Sequence, residues 1–176
     1  EVKKPPFSWL YKVEGHRLAA YEKRVAKLFD RVIFINPSEQ QMLQRGDSSL
    51  QTEVISNGVD FDQYHGDEIP EYGPEVEDCP KVIFTGSMDY IPNIDAACWF
   101  ADEIFPRITA VIPRCEFHIL GRNPAKKVRL LERKNSAVKV SGYVEDLRPH
   151  IMGAHVFVAP MRIARGMQTK ILEAIA

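Results

Sequence analysis

The sequence predicts an α/β chain, a doubly wound parallel sheet preceded by part of a second α/β domain. Three observations carry that prediction. From Lys81 onward short β-rich runs alternate with longer amphipathic stretches, the runs are apolar along their length, and a glycine or proline closes each one. Alternating strand and helix signals give parallel βαβ units, and continuous apolar strands imply cover on both faces. The expected domain is Rossmann-like.

Its strands are expected at Lys81–Thr85, Glu116–Leu120, Ala137–Val140 and Val156–Ala159, with helices near 93–108, 124–134, 145–153 and 166–176. Ahead of them, residues 14–29 read as a helix whose apolar positions Leu18, Tyr21, Val25, Leu28 and Phe29 recur at three- and four-residue spacing. A strand follows at Arg31–Ile35, then a helix opened by Asn36-Pro37-Ser38, then a strand at Glu53–Ser56. Two strands and two helices are too few for a free-standing α/β domain, so residues 1–59 are expected to be the tail of a larger one. Residues 60–80, rich in Pro, Gly, Asp and Glu without a usable period, read as hinge and linker, and 81–176 as the sheet domain. No residue typical of a helix stop follows the last helical stretch, so the chain is expected to end inside an element.

Composition narrows the function. With a formal net charge of -1 the chain has no basic field to draw it to nucleic acid, and any bound anion must be held locally. Cys79, Cys98 and Cys115 are widely spaced and form no Cys-x-x-Cys pair, which suits buried or incidental thiols in a reducing compartment. The apolar runs Val32–Ile35 and Val156–Pro160 are too short to cross a bilayer, and the N-terminus lacks a signal-peptide pattern, so a cytoplasmic location is expected. Arg17, Lys23, Arg24 and Lys27 on the first helix leave peripheral contact with the inner face of a membrane as a lesser alternative, opposed by Glu14 and Glu22. No metal is expected: Asp60-Phe-Asp62 lies in the hinge, and the five histidines show no ligand spacing. His118 is expected to be packed or hydrogen bonded within its strand.

Ligands of open parallel sheets bind beyond the carboxyl ends of the strands. Those ends carry Gly86-Ser87, Gly121-Arg122, Gly142-Tyr143 and Pro160-Met161-Arg162. Glycine there lets a ligand approach the backbone; it also serves tight turns, and for any one glycine both readings stand. The last strand leads into Arg162-Ile-Ala-Arg165-Gly166-Met167-Gln168-Thr169-Lys170, and Glu173 follows. A helix beginning at Gly166 would point free N–H groups at the rim, a seat for a diphosphate, with Arg162, Arg165 and Lys170 to neutralise it.

Phe84-Thr-Gly-Ser-Met-Asp-Tyr90 with Pro92-Asn93, Ile119-Leu-Gly121, Val140-Ser-Gly-Tyr-Val-Glu-Asp146 and Lys170-Ile-Leu-Glu-Ala-Ile-Ala176 occur in this order, after an Asn57-Gly58-Val59-Asp60 hinge. Together they resemble the C-terminal domain of the GT-B retaining glycosyltransferases of group 1 (family 4 type), with the closest likeness to sugar transferases of exopolysaccharide clusters. The resemblance implies a nucleotide-diphosphate-sugar co-substrate, a glycan or lipid-linked acceptor, retention of anomeric configuration, and no cofactor or metal. It makes residues 1–59 the tail of an acceptor-side domain and places catalytic residues outside this chain, so the chain alone is expected to be inactive. By the family pattern Glu173 is the second glutamate of E-x7-E and would hold the ribose hydroxyls. Gly142, Tyr143 and Val144 would border the base, and Gly166, Met167, Gln168 and Thr169 would lie under the diphosphate.

Two positions depart from the pattern. Arg165 stands where the family usually has the glutamate that touches the donor sugar. Ser87 occupies the usual basic position, and the lysine a few residues on is missing, with Pro92 nearby. Arg162 and Arg165 are the candidates to take over phosphate neutralisation.

Other functions remain to be weighed. A nicotinamide-dependent oxidoreductase needs G-x-G-x-x-G after its first strand, which Gly86-Ser-Met-Asp-Tyr-Ile lacks. A nucleotide-sugar epimerase or hydrolase would share the donor site, and a noncatalytic scaffold would keep a degenerate one. The last two differ from a transferase in product formation and in dependence of nucleotide binding on Glu173.

Overall fold

The structure, a computed structural model, describes residues 7–61, 79–164 and 167–176. It divides into two compact units, Glu1–Asn57 and Gly58–Ala176.

The first unit contains α1 (Phe7–Ala26), β1 (Val32–Phe34), α2 (Pro37–Gln44) and β2 (Thr52–Val54). Asn36 opens α2 as the sequence suggests. Its backbone is extended, its side-chain oxygen accepts from the Glu39 N–H at 3.0 Å, and Pro37 fills the first turn, where a missing N–H is harmless. β1 and β2 pair in parallel with Val32 opposite Thr52, and the Gln40 and Gln44 amides donate to Thr52 Oγ1 at 3.0 and 2.7 Å, tying α2 to β2. Helix α1 differs from expectation: it begins earlier, ends at Ala26, and leaves Leu18, Tyr21, Leu28 and Phe29 exposed. Leu18 and Tyr21, three residues apart on α1, present apolar surface to solvent, while Leu28 and Phe29 lie beyond the end of the helix.

The second unit runs β3 (Lys81–Thr85), α3 (Ile91–Trp99), a π turn (Phe100–Ile104), α4 (Phe105–Val111), β4 (Glu116–Leu120), α5 (Lys126–Lys134), β5 (Val138–Gly142), α6 (Arg148–Met152), β6 (Val156–Phe157) and α7 (Thr169–Ile175). Its four strands are all parallel, in the order β5-β4-β3-β6. The α/β parallel-sheet prediction holds, and β3 and β4 have the expected bounds.

One face of the sheet is a dry core. Val82, Phe84, Phe117, Ile119 and Val138 meet Ala96 and Ala97 of α3, Phe100 and Ala101 of the π turn, Phe105 of α4, and Val128 and Leu131 of α5. Full burial of each large apolar side chain contributes about 1.5–3 kcal/mol. The π turn explains how Phe100 and Phe105, five residues apart, both reach this core: the Phe105 N–H bonds to the Phe100 carbonyl, bringing the two onto one side. Their rings lie 6.5 Å apart and sit 4.6 and 5.7 Å from Phe117.

The opposite face corrects the expectation of strands apolar on both sides. Ile83, Thr85 and Leu120 are buried there, but Lys81, Glu116, His118 and Lys139 are half-buried. His118 Nε2 lies 2.8 Å from Glu116 Oε2, and Lys139 Nζ lies 3.8 Å from Glu116 Oε1. A small cavity of about 140 Å³ separates this face from Pro149, His150 and Gly153 at α6. The three cysteines are free thiols, Cys115 buried and Cys79 and Cys98 half-buried.

Candidate functional site

The carboxyl ends of three strands continue as a ladder of glycines. The Gly86 N–H donates to the Leu120 carbonyl at 3.0 Å, and the Gly121 N–H to the Gly142 carbonyl at 2.7 Å. All three have positive φ, +152°, +148° and +69° for Gly86, Gly121 and Gly142, which L side chains rarely adopt. A Cβ on Gly121 would lie 1.6 Å from the Gly86 carbonyl oxygen, so contact between neighbouring backbones alone requires glycine there.

The strand order locates the crevice. The chain proceeds from β3 to β4 to β5 on one side and then returns to place β6 on the other side of β3. Connections leaving β3 and β6 therefore diverge, and a doubly wound sheet binds its ligand where they do. Lys170, which follows β6, crosses this point. Its Nζ donates to Asn93 Oδ1 at 2.8 Å, sits 4.5 Å from the centroid of the Phe84 ring, and would be 2.9 Å from a Cβ on Gly86. Asn93, buried on α3, donates through Nδ2 to the Ser87 carbonyl at 2.9 Å. Burial lowers the Lys170 pKa to about 8, against the opposing influence of Glu173 on the same helix.

Loops after β3 and β4 are joined by a polar network. Ser87 Oγ donates to Asp89 Oδ1 at 2.7 Å and accepts from Arg122 Nε at 3.3 Å, while Asn123 Nδ2 donates to Asp89 Oδ2 at 2.9 Å. Hydrogen bonds from Ser87 and then Asn123 hold the Asp89 carboxyl below the usual range. Fully buried Met88 anchors the loop, its N–H donating to the Arg122 carbonyl at 2.9 Å. Ser87 and Arg122 are thus placed by structure shared between two strand ends.

The other sequence candidates fall around this centre. Arg162 Nε donates to Asp95 Oδ2 at 2.9 Å, Nη2 donates to Oδ1, and the guanidinium lies 5.4 Å from the centroid of the Trp99 ring. Asp95 in turn is held below the usual carboxylate range by that guanidinium. Tyr143 is 73% exposed and Val144 half-buried beyond Gly142. Glu173, Met167 and Gln168 are half-buried, and Thr169 is exposed. Helix α7 begins at Thr169 instead of Gly166, because Gln168 has extended backbone, φ -88° and ψ 105°. Arg165 and Gly166 lie outside the described residues. Sequence reading did not find Asp89 or Asp95, and gave Asn93 no role of its own. Asn93 did carry a signal, a polar residue in an otherwise apolar helical stretch. Among the described residues no three His, Cys, Asp or Glu side chains group to hold a metal, and no helix is long and apolar enough to cross a membrane.

Residues 79–176 match the family model described as "Glycosyl transferases group 1". Among curated proteins none matches in sequence. Solved structures do match. TarM is 19% identical with a TM-score of 0.68, the match covering 89% of this chain and 30% of TarM. HepE of Anabaena, solved in complex with UDP and glucose, is 14% identical with a TM-score of 0.55, over 79% of this chain and 40% of HepE. Trehalose-6-phosphate synthase, studied for glycosyltransfer with retention, is 12% identical with a TM-score of 0.59, over 84% of this chain and 43% of that one. The chain thus spans less than half the length of these proteins, and at such identities the likeness is one of fold.

Proposed function

We propose, because this chain belongs to the group 1 glycosyl transferases, that it carries the donor side of an enzyme that moves a sugar from a nucleotide diphosphate to a glycan or lipid-linked acceptor. The observation that carries this reading is the meeting of Lys170 with Asn93 and Gly86 across the divergence between β3 and β6. A cation and backbone free of Cβ atoms lie together where a doubly wound sheet takes its ligand.

In this reading the rim beyond Gly142 borders the base, Glu173 accepts from both ribose hydroxyls, and the diphosphate lies between Gly86 and Lys170. Charge-assisted bonds to the carboxylate contribute about 1.5–3 kcal/mol each. The sugar leaves with retention, and the product enters exopolysaccharide or a related glycan. Residues 1–59 belong to the acceptor side and 60–80 to the hinge. Retention at trehalose-6-phosphate synthase and the UDP and glucose held by HepE, both similar to this chain in fold, support the reaction type and donor class.

Calorimetric titration with UDP, GDP and ADP, repeated on Glu173→Ala, tests the proposal. One nucleotide should bind, and the variant should bind it about ten- to a hundredfold more weakly. Equal affinity in the two proteins removes Glu173 from the site, and binding of none of the three sinks the donor reading.

A further inference from the structure

We infer that Lys170, and not Arg162, is the cation that receives the diphosphate, its ammonium set in place by Asn93 against the Phe84 ring beside Gly86. The inference rests on the donor site proposed above and decides between its two described cations of the 162–170 segment.

Two described cations of the 162–170 segment differ in how they are occupied. The Arg162 guanidinium meets both carboxylate oxygens of Asp95 through Nε and Nη2 and lies against Trp99. A bidentate pair of this kind consumes the fork that would otherwise clasp a phosphate, and opposite charges in contact leave little net field for a third group. Lys170 has no such partner: among the described residues no carboxylate oxygen lies within ion-pair distance of its Nζ, and its hydrogen-bond acceptor is the neutral Asn93 oxygen. An ammonium has three N–H donors, and Asn93 uses one.

Placement favours the same residue. A Cβ on Gly86 would come within 2.9 Å of Nζ and 2.7 Å of Asn93 Nδ2, so glycine there leaves room for both side-chain ends where they stand. The Asn93 amide is fixed from its other end, Nδ2 donating to the Ser87 carbonyl, so Oδ1 is the end presented to the lysine. The chain lacks the basic residues expected at 87 and nearby, and α7 brings the Lys170 ammonium to the end of β3. Half-burial keeps the ammonium short of water, so its attraction to an incoming anion is screened less than on an open surface.

A pH signature follows. Burial has already lowered the Lys170 pKa to about 8, and a bound diphosphate must raise it. Binding above that value takes up a proton, so affinity is greatest at lower pH and falls as pH rises through it. The groups facing the ammonium are neutral Asn93 from α3 and Phe84 from β3, and Glu173 on its own helix is the charged group acting on it.

The test compares UDP, uridine and pyrophosphate binding to the chain and to Lys170→Met, Lys170→Gln and Arg162→Met, with circular dichroism to verify folding. Either Lys170 variant should bind UDP about ten- to a hundredfold more weakly with uridine binding unchanged, and Arg162→Met should stay within about threefold. Between about pH 7 and about pH 9 the ratio of wild-type to Lys170→Met affinity for UDP should shrink. UDP binding that is undiminished in both Lys170 variants, or a loss confined to Arg162→Met, overturns the inference and leaves the donor reading standing. If UDP does not bind the wild-type chain, GDP or ADP with its own nucleoside takes its place, and binding of none of the three overturns the donor reading; pyrophosphate binding that depends on Lys170 would then support the anion site alone, and its absence would overturn both.

Discussion

On one face of the four-stranded sheet Phe84 and Phe117 are fully buried beneath α3, the π turn, α4 and α5, whereas on the other Lys81, Glu116, His118 and Lys139 form a half-buried charged strip. The same strands build both faces, since side chains alternate along each. What differs is the axis of burial. The apolar face is closed along its length, and the charged face closes only toward the carboxyl ends, at Ile83, Thr85 and Leu120. The sheet is therefore buried on both sides where the glycine ladder begins, and the candidate site stands at that end.

Phe117 and His118, adjacent in β4, offer the sharpest way to break this comparison. Phe117→Ala should lose about 3–5 kcal/mol of unfolding free energy in urea, because it empties the space between Phe100 and Phe105. His118→Ala should lose under about 1 kcal/mol, since its pairing with Glu116 is partly exposed. Similar losses from the two would mean that the faces do not divide the work.

The rim gives a smaller effect. Gly121→Ala combines a φ of +148° with a Cβ set against the Gly86 carbonyl and should cost about 1–3 kcal/mol, while Gly58→Ala, with open space around its Cβ, should stay within about 0.5 kcal/mol. A neutral Gly121→Ala in the same denaturation experiment would show that the ladder yields easily.

An effect read against pH belongs to the cation that sits on the apolar face. Lys170 is protonated in the unfolded chain up to 10.5 but loses its proton from about 8 in the folded one. Below 8 the folded state carries the whole penalty of that buried charge, and between 8 and 10.5 the unfolded state binds more protons, so stability rises with pH. The rise should appear as a difference between wild-type and Lys170→Met in denaturation curves collected across this window, and superimposable pH profiles would count against it.

These features were unevenly legible in the sequence. The bounds of β3 and β4 could be read because each is a short apolar run closed by glycine, and Asn36-Pro37 announced α2 through its cap. The charged face was legible too, in the alternation Glu116-Phe117-His118-Ile119, but the apolar residues at both ends of the unit obscured its period of two. The start of α7 differs from expectation because glycine before a basic and polar run suits a helix opening, whereas the backbone at Gln168 is extended. Lys170 and Asn93 were visible singly; their contact spans 77 residues and depends on β6 lying beside β3, which alternating strands and helices do not specify. For Arg162, Asp95 was hidden for the same reason.

The π turn between Phe100 and Ile104 has a consequence for how related chains should be aligned with this one. Such a turn holds one residue more than the α-helix around it, so losing a single residue there is the deletion that helix geometry absorbs most readily. The helical hydrogen bonds would close into an uninterrupted ladder, and α3 and α4 would keep their relative phase. Phe100 and Phe105, then four positions apart, would still share the side of the helix that faces Phe117. In descendants of a common ancestor, a gap at this place should therefore leave large apolar residues at both ring positions.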